Sequence, residues 1–578
     1  MIKQVLTFVF ITCCFVAGTG QNWQTTGGSS QRNGISVSYG PEAVSTPYWS
    51  VANASSTMWG GAIFSAGDYF TTSRVKFSPT YHVIVECRKI SDGSLAWDKE
   101  FPNDGKLYVV GMNEDAVYVH NYATDSLFAF KRETGEMKWV CPEKAMIFGG
   151  AHGILFACNG DPVVNGPDLY QKSLMRLDKY SGDPIWYNTN MTSVGPATDY
   201  CIFGDRLYRW EGAIGIPTHL VAVDLETGES LFYSEDLGGD PDQEHPLTAG
   251  PDGTIYGQRD GGDLWAMVDE GNSFGVKWFY SPENGGMGTY GNIGIGPDWS
   301  VYYPDGNVVK RLDPSNGQVL NATEPLSTDA MFGTYITTDD FGTVYISNAE
   351  AAEGKYFAFS ADLQSKLWEK AVTYNYYAGP QISKDGIFIM AGNGTTLQAY
   401  KTDQPHNPVS WFEADQTHIP QNSVVTFTDM SSFGPDSWHW IFEGGSPQES
   451  FLQNPDPVYY LNPGIYSVTL ITSNSLGADT LIRECYIEVD AVPGFNSVCK
   501  DKGIDLYPNP CYGNFHVLLP SVGNKPADCH IINICGKEEY RCKLSQMDNE
   551  IRSSLSEGIY LIRITLEDQV LSGRLFVR

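Results

Sequence analysis

An all-β chain is what this sequence predicts: an eight-bladed β-propeller, with seven blades as the alternative, followed by two small β-sandwich domains. Three observations predict it. Aromatic residues make up 13% of 578 residues and glycine supplies 60, a combination suited to pleated surfaces joined by tight turns. A short phrase ending in tryptophan recurs with a period in the forties. After residue 402 that phrase stops, and short strands with a different spacing take over.

The N-terminus comes first. Lys3 precedes an apolar run over residues 5–17, and Ala17-Gly18-Thr19-Gly20 supplies small residues. That is the layout of a secretory signal peptide over residues 1–20, cut near Gly20. The run is too short to span a bilayer comfortably, and no later stretch is long and apolar enough, so no transmembrane helix is expected in the mature chain. The formal net charge of -31 repels phosphate backbones, so no nucleic-acid partner is expected. It suits a soluble exported protein. No cofactor is expected, with calcium left open by the acidic composition.

Residues 22–402 carry the repeat. It reads Ser91-Asp92-Gly93-Ser94-Leu95-Ala96-Trp97, then Glu133-Thr134-Gly135-Glu136-Met137-Lys138-Trp139, then Ser181-Gly182-Asp183-Pro184-Ile185-Trp186. Phe232, Trp278, Leu320 and Trp368 end later copies, and Trp49 begins the series. Successive anchors are 48, 42, 47, 46, 46, 42 and 48 residues apart. This is the period of propeller blades. A four-stranded blade has two apolar faces that only neighbouring blades can bury, so these anchors are read as packing between blades. Residues 369–402 lack a last strand that residues 44–49 are expected to supply, which closes the ring without an open edge.

Leu220-Val221-Ala222-Val223-Asp224-Leu225-Glu226-Thr227-Gly228-Glu229 is the fullest copy of the phrase. It resembles the tryptophan-docking repeat of pyrroloquinoline-quinone-type propellers, as does the lead-in with Trp23, Gly27-Gly28 and Gln31-Arg32-Asn33-Gly34. The resemblance implies the fold and leaves function open. Quinone-dependent dehydrogenases add a calcium site and often a vicinal disulfide or a haem at Cys-x-x-Cys-His; the mature chain has no adjacent cysteines and no such haem motif. Gly286-Met287-Gly288-Thr289-Tyr290-Gly291 fits G-x-G-x-x-G by letter, but no helical pattern follows it. Residues 240–245, with Asp240, Asp242 and Glu244, alternate acids like half a calcium loop, yet lack glycine at the sixth place and glutamate at the twelfth. His219 and His245 read as loop or core residues. No catalytic, cofactor-binding or metal-ligating residue is assigned.

Residues 409–490 form the second domain. Val424-Val425-Thr426-Phe427, Trp438-His439-Trp440-Ile441-Phe442 and Gly464-Ile465-Tyr466-Ser467-Val468 are short alternating strands with turn signals between them, which predicts a β-sandwich around Trp440. The stretch Trp440-Ile441-Phe442-Glu443-Gly444-Gly445 resembles the core of the polycystic-kidney-disease (PKD) domain, with Glu443 where that family usually has glycine. Trp438 is expected to pack. The resemblance implies a spacer or a module that binds protein or carbohydrate.

After a linker over residues 491–503, residues 504–578 repeat strand, glycine turn and strand. Pro508-Asn509-Pro510, Gly536-Lys537 and Gly558-Ile559-Tyr560 occur in that order. Their order resembles the type A C-terminal sorting domain of type IX secretion in Bacteroidetes. It implies the type IX secretion machinery as a partner and periplasmic transit to the outer-membrane cell surface or the medium. Cys485, Cys499, Cys511, Cys529, Cys535 and Cys542 crowd this end. In an oxidising compartment they are expected to form disulfides, with the pairing left open.

The expected function is that of an exported scaffold presenting a protein- or glycan-binding surface, with propeller loops such as the tyrosine-rich residues 374–377 as the contact region. No enzymatic activity is assigned. The alternatives are a quinoprotein oxidoreductase, a glycan-degrading enzyme whose acids converge only in space, and a structural surface-layer component.

Overall fold

The structure is a computed structural model. It describes residues 24–577 apart from 26–27, 53–56, 60–61, 77–81, 103–106, 122–123, 142–152, 167–172, 190–199, 214–215, 240–244, 260–261, 288–290, 332, 349–353, 373–378, 391–395, 492–503, 508–510, 520–525, 534–536, 557 and 567–568. Every regular element among the described residues is a strand. Eight antiparallel sheets follow one another through the first 401 residues. Sheets 1 to 7 span residues 57–102, 107–140, 155–188, 201–233, 248–280, 294–322 and 336–371. Sheet 8 joins Ile387–Met390 and Thr396–Lys401 to Trp49–Ala52, so the two ends of the repeat region meet in one sheet.

Burial follows strand position. In sheet 3 the first three strands are wholly buried, whereas the fourth, Pro184–Asn188, buries only Trp186. Inner strands covered on both faces read as continuous apolar runs, and an outer strand with one wet face alternates.

The outer strands carry a device that repeats. In sheets 1 to 7 the pairing between third and fourth strands slips by one residue, just before the anchor position. A bulge re-aims the residue that follows it. The anchor thereby turns towards the next sheet, where its indole N–H meets a carbonyl. Trp97 donates to Arg132 at 2.6 Å, Trp139 to Lys179 at 2.9 Å, Trp186 to Leu225 at 3.0 Å and Trp278 to Pro314 at 2.9 Å. Trp368 reaches Pro41, and Trp49 reaches Ile90 in sheet 1, so the chain of contacts closes on itself. The rings of Trp49, Trp97, Trp139, Trp186 and Trp278 lie against the turn glycines Gly93, Gly135, Gly182, Gly228 and Gly317 of the next sheet. A methyl group on Gly135, at φ +68°, would stand 2.7 Å from the Trp97 ring. Phe232 holds the same slot in sheet 4 and packs on Phe274 at 4.9 Å.

Leu320 departs from the expectation. It is the bulged residue of sheet 6, 45% exposed, and Asn321 holds the register slot that tryptophan holds elsewhere. Its place in the sequence period is right by count, but the bulge turns its side chain outward.

The lead-in, residues 24–38, runs along the inner wall. Backbone carbonyls of Gln24, Ser30, Gln31, Asn33 and Gly34 accept from Met112, Ile202, Ala249, Ile295 and Thr338, one in each of sheets 2 and 4 to 7. Ser30 Oγ bonds Phe156 in sheet 3. Arg32 is buried and donates to the carbonyls of Tyr200 and Gly153, both at 3.0 Å. Such a segment satisfies the unpaired edges of the innermost strands. Gly34, at φ +69°, passes so close to the Ile336 carbonyl that a β-carbon would stand 2.3 Å from it.

The second domain is a sandwich. Its larger sheet runs His418–Pro420, Ala478–Asp490, Gly464–Ser473, Ser437–Phe442, Glu449–Ser450. Trp440 is fully buried among Phe412, Phe427 and Phe442 and donates to Leu452 at 2.9 Å. Trp438 is half-buried, and its N–H is bound by Asp429 at 2.9 Å.

The third domain, taken by itself, packs two sheets. One is Asp505–Tyr507, Asn514–Leu518, Asp548–Arg552; the other is Glu538–Leu544, Ala527–Asn533, Gly558–Leu566, Gln569–Val577. Phe515, Val517, Ile531, Ile562, Ile564 and Leu571 fill its core.

Candidate functional site: the seam between propeller and sandwich

The sandwich is latched to the propeller. Along strand Ala478–Asp490 the register jumps: Val468 faces Arg483 while Tyr466 faces Ile487. The three residues between, Glu484, Cys485 and Tyr486, bulge from the sheet, with Cys485 at φ +52°. That left-handed conformation is costly for a non-glycine residue and persists only where surroundings hold it. Here it aims Cys485 at the propeller, where it is bonded to Cys158 in the turn between Leu155–Phe156 and Pro162–Asn165. The six late cysteines therefore do not pair only among themselves, as expected from their crowding. Cys511, Cys529 and Cys542 are thiols, and Cys499 and Cys535 lie outside the described residues.

Beside the disulfide, Arg483 is ion-paired with Glu114 of the propeller. Its guanidinium lies 4.2 Å from the Trp411 ring, 4.7 Å from Tyr486 and 4.8 Å from Phe412. Burial is the largest influence and opposes its charge, but Glu114, Tyr486 and Glu413 together outweigh it and hold Arg483 above its ordinary range. Further along, Arg132 stands 3.7 Å from Glu413, Ser432 bonds Asp385, and Tyr180 stacks on His418 at 5.0 Å. Tyr39, directly after the lead-in, stacks on His406 at 4.0 Å.

Where the bulge meets the propeller turns there is a cleft of about 420 Å³. Asn113, Glu114, Asp115 and Lys179 wall it on the propeller side, and Thr417 and Glu484 on the sandwich side. Lys179 bonds the Asn159 carbonyl at 2.7 Å and lies 3.5 Å from Asp115. Burial works against its ammonium, yet Asp115 and Tyr180 keep it above the usual lysine range. The arrangement offers paired charges, carboxamides and an aromatic edge in a partly dry space. That suits recognition of a polar ligand better than covalent chemistry.

Of the residues singled out from sequence, the aromatic anchors lie between the sheets and Trp440 lies in the sandwich core, away from the cleft, whereas Gln31 and Cys485 line it. The run at residues 240–244, residues 288–290 of the G-x-G-x-x-G stretch and the tyrosine-rich residues 374–377 lie outside the described residues. His219 bonds the Ser234 carbonyl at 2.8 Å, and His245 is buried beside Gln258. Sequence reading missed the seam. Cys158 is one of four scattered cysteines in the propeller, with Cys87, Cys141 and Cys201, and its spacing does not set it apart from them.

In the third domain the described motif residues converge at one end. Gly558 pairs with Val577, Tyr560 with Asn533, and Lys537 follows that strand, its N–H bound to Asn533 Oδ1 at 3.1 Å. Tyr560 is buried and donates to Ser556 at 2.9 Å. Ile559 points outward, 49% exposed, opposite Phe576 at 41%. Pro508, Asn509, Pro510 and Gly536 lie outside the described residues.

The secretion system C-terminal sorting domain family matches residues 505–578, and the PKD domain family matches residues 411–486. No curated protein matches the chain. Among solved structures, BamB from Moraxella catarrhalis is 14% identical, covering 55% of this chain and 97% of that one, with a TM-score of 0.33. Quinohemoprotein alcohol dehydrogenase from Comamonas testosteroni is 10% identical, covering 86% and 84%, with a TM-score of 0.34. Apo AztD from Citrobacter koseri is 13% identical, covering 55% and 88%, with a TM-score of 0.37. Likenesses this distant assign no activity here. The tail match does carry weight: this is a chain handled by type IX secretion, with a PKD domain behind its propeller, bound for the cell surface or the extracellular space.

Proposed function

We propose that the exported protein is a binding scaffold whose protein or glycan ligand is taken at the seam cleft. One observation carries the reading: the cleft has walls from two domains that a disulfide and a half-buried ion pair hold together. A site fixed in advance loses less freedom when it binds, so affinity is gained through rigidity as well as contact. The volume, about 420 Å³, lies within the range of small-ligand sites and suits a short glycan or the end of a peptide. Lys179 with Asp115 supplies the charged groups that fix orientation.

The test is a glycan array and a pull-down with the exported protein, run beside Thr417→Trp, which fills the cleft from the sandwich side. The expected result is a saturable hit that the tryptophan variant loses while its unfolding midpoint is retained. No saturable hit, or one that the variant keeps, removes the seam as the ligand site.

A further inference from the structure

Three cysteines sit in the core of the sorting domain, and two of them face each other. Cys529, on Ala527–Asn533, is directly opposite Cys542, on Glu538–Leu544. Both point inward, packed in the same cluster as Ile531, Leu544 and Ile564. Their side chains are in hydrogen-bond contact as thiols. Directly opposed residues of an antiparallel pair bring their β-carbons to about 4.5–5.5 Å, close to the separation a disulfide spans. Cys511, the third core thiol, is no rival. It bridges to Val577, which pairs with Gly558, whereas Cys529 pairs with Ile564. The six residue steps from Gly558 to Ile564 amount to roughly 20 Å at about 3.3 Å each, far beyond disulfide reach.

The two sulfurs differ in access. Cys529 is wholly buried, while Cys542 is partly buried and retains some access on the edge strand. We infer that Cys529 and Cys542 are a modification site: a dithiol that a disulfide-donating oxidant of the export compartment converts to a cross-strand disulfide, entering at Cys542.

The exchange runs in two steps. The Cys542 thiolate attacks one sulfur of the oxidant; the oxidant's S–S bond breaks, a mixed disulfide forms at Cys542, and the oxidant's other sulfur leaves as a thiolate and takes up a proton. The Cys529 thiol then gives up its proton and attacks Cys542 Sγ; the mixed disulfide breaks and the oxidant leaves as a dithiol. Two protein thiols have lost two electrons and two protons, and one oxidant disulfide has gained them. The hydrogen bond from Cys529 holds the Cys542 thiol below the ordinary cysteine range and pushes Cys529 up, which favours Cys542 as the first nucleophile. The product staples edge strand Glu538–Leu544 to its neighbour before the domain meets the outer-membrane machinery.

Peptide mapping of the full chain, recovered from the periplasm, denatured in acid and alkylated before reduction, tests this. The expected result is a Cys529–Cys542 cross-link with neither residue alkylated. In a second arm, the folded chain is reduced and then exposed to oxidised glutathione. Wild type is expected to lose both thiols, Cys529→Ser to retain a glutathione adduct at Cys542, and Cys542→Ser to gain no adduct at Cys529. Free thiols at both positions in the periplasmic protein overturn the inference. So does a bridge from either residue to Cys499, Cys511 or Cys535, or an adduct at Cys529 in Cys542→Ser.

Discussion

The seam latch can be measured as a coupling energy. Arg483 is 8% exposed and touches three aromatic rings, while Glu114 keeps about a quarter of its side chain in water. Breaking a fully buried pair by removing one partner costs about 3–5 kcal/mol. Water at Glu114 reduces that, so Glu114→Gln is expected to weaken docking by about 2 kcal/mol. Arg483→Met keeps the apolar stem but loses the ion pair and the cation–π contacts, for about 3 kcal/mol. The double variant is expected to cost about 1.5 kcal/mol less than the sum. The assay is hydrogen exchange by mass spectrometry on the full chain, with Cys485→Ser as the background so that the disulfide does not mask opening. The peptide holding Glu413, which Arg132 of the propeller approaches to 3.7 Å, reports the seam, and Ser437–Phe442 reports the sandwich core. A loss of 2 kcal/mol corresponds to about 30-fold faster opening. Additivity within about 0.5 kcal/mol refutes the latch, and equal acceleration in both peptides shows loss of the sandwich itself.

Other perturbations probe separate features. Gly135→Ala places a methyl group 2.7 Å from the Trp97 ring at a left-handed φ, and is expected to cost about 2–3 kcal/mol by urea unfolding. Gly271→Ala has a left-handed φ but an open surround, and is expected to cost about 1 kcal/mol. Asp339 is buried, and burial raises it from 3.8 to about 6 despite bonds from Gly40, Thr343 and Tyr345. Because the folded-state value is the higher one, the native state favours the protonated form. That stabilisation is complete below about pH 4 and lost as pH rises through 6, roughly 3 kcal/mol for a shift of about two units. Urea midpoints taken from pH 4 to 7 are expected to fall for wild type and to flatten in Asp339→Asn. Ile559→Asp alters the outward face of the sorting motif without touching the core, so extracellular yield is expected to drop severalfold with thermal stability of the purified chain within about 0.5 kcal/mol; unchanged yield removes that face from recognition.

Much of the fold was legible because its cause is local and repeated. The glycine turn, the bulge and the tryptophan lie within seven residues of one another, so a single sheet states its own packing rule. Leu320 shows where counting fails. Spacing locates the outer strand, but the facing of one side chain depends on a bulge that spacing does not encode. Trp440 was readable for the same local reason, as an apolar residue alternating within a short strand. The seam was not. Cys158 and Cys485 are 327 residues apart, and their pairing follows from how two finished domains dock. Arg483 likewise reads as an ordinary strand arginine until Trp411, Phe412 and Glu114 surround it.

Sheet 8 has a bearing on how the molecule is made. Its outer strand, Trp49–Ala52, must wait for Thr396–Lys401 before it has anything to pair with. A chain emerging from its N-terminus therefore carries an unzipped ring until almost 350 further residues have followed, and contacts that distant are slow to find. Closure therefore comes late in synthesis, after the strands of the other seven sheets have appeared.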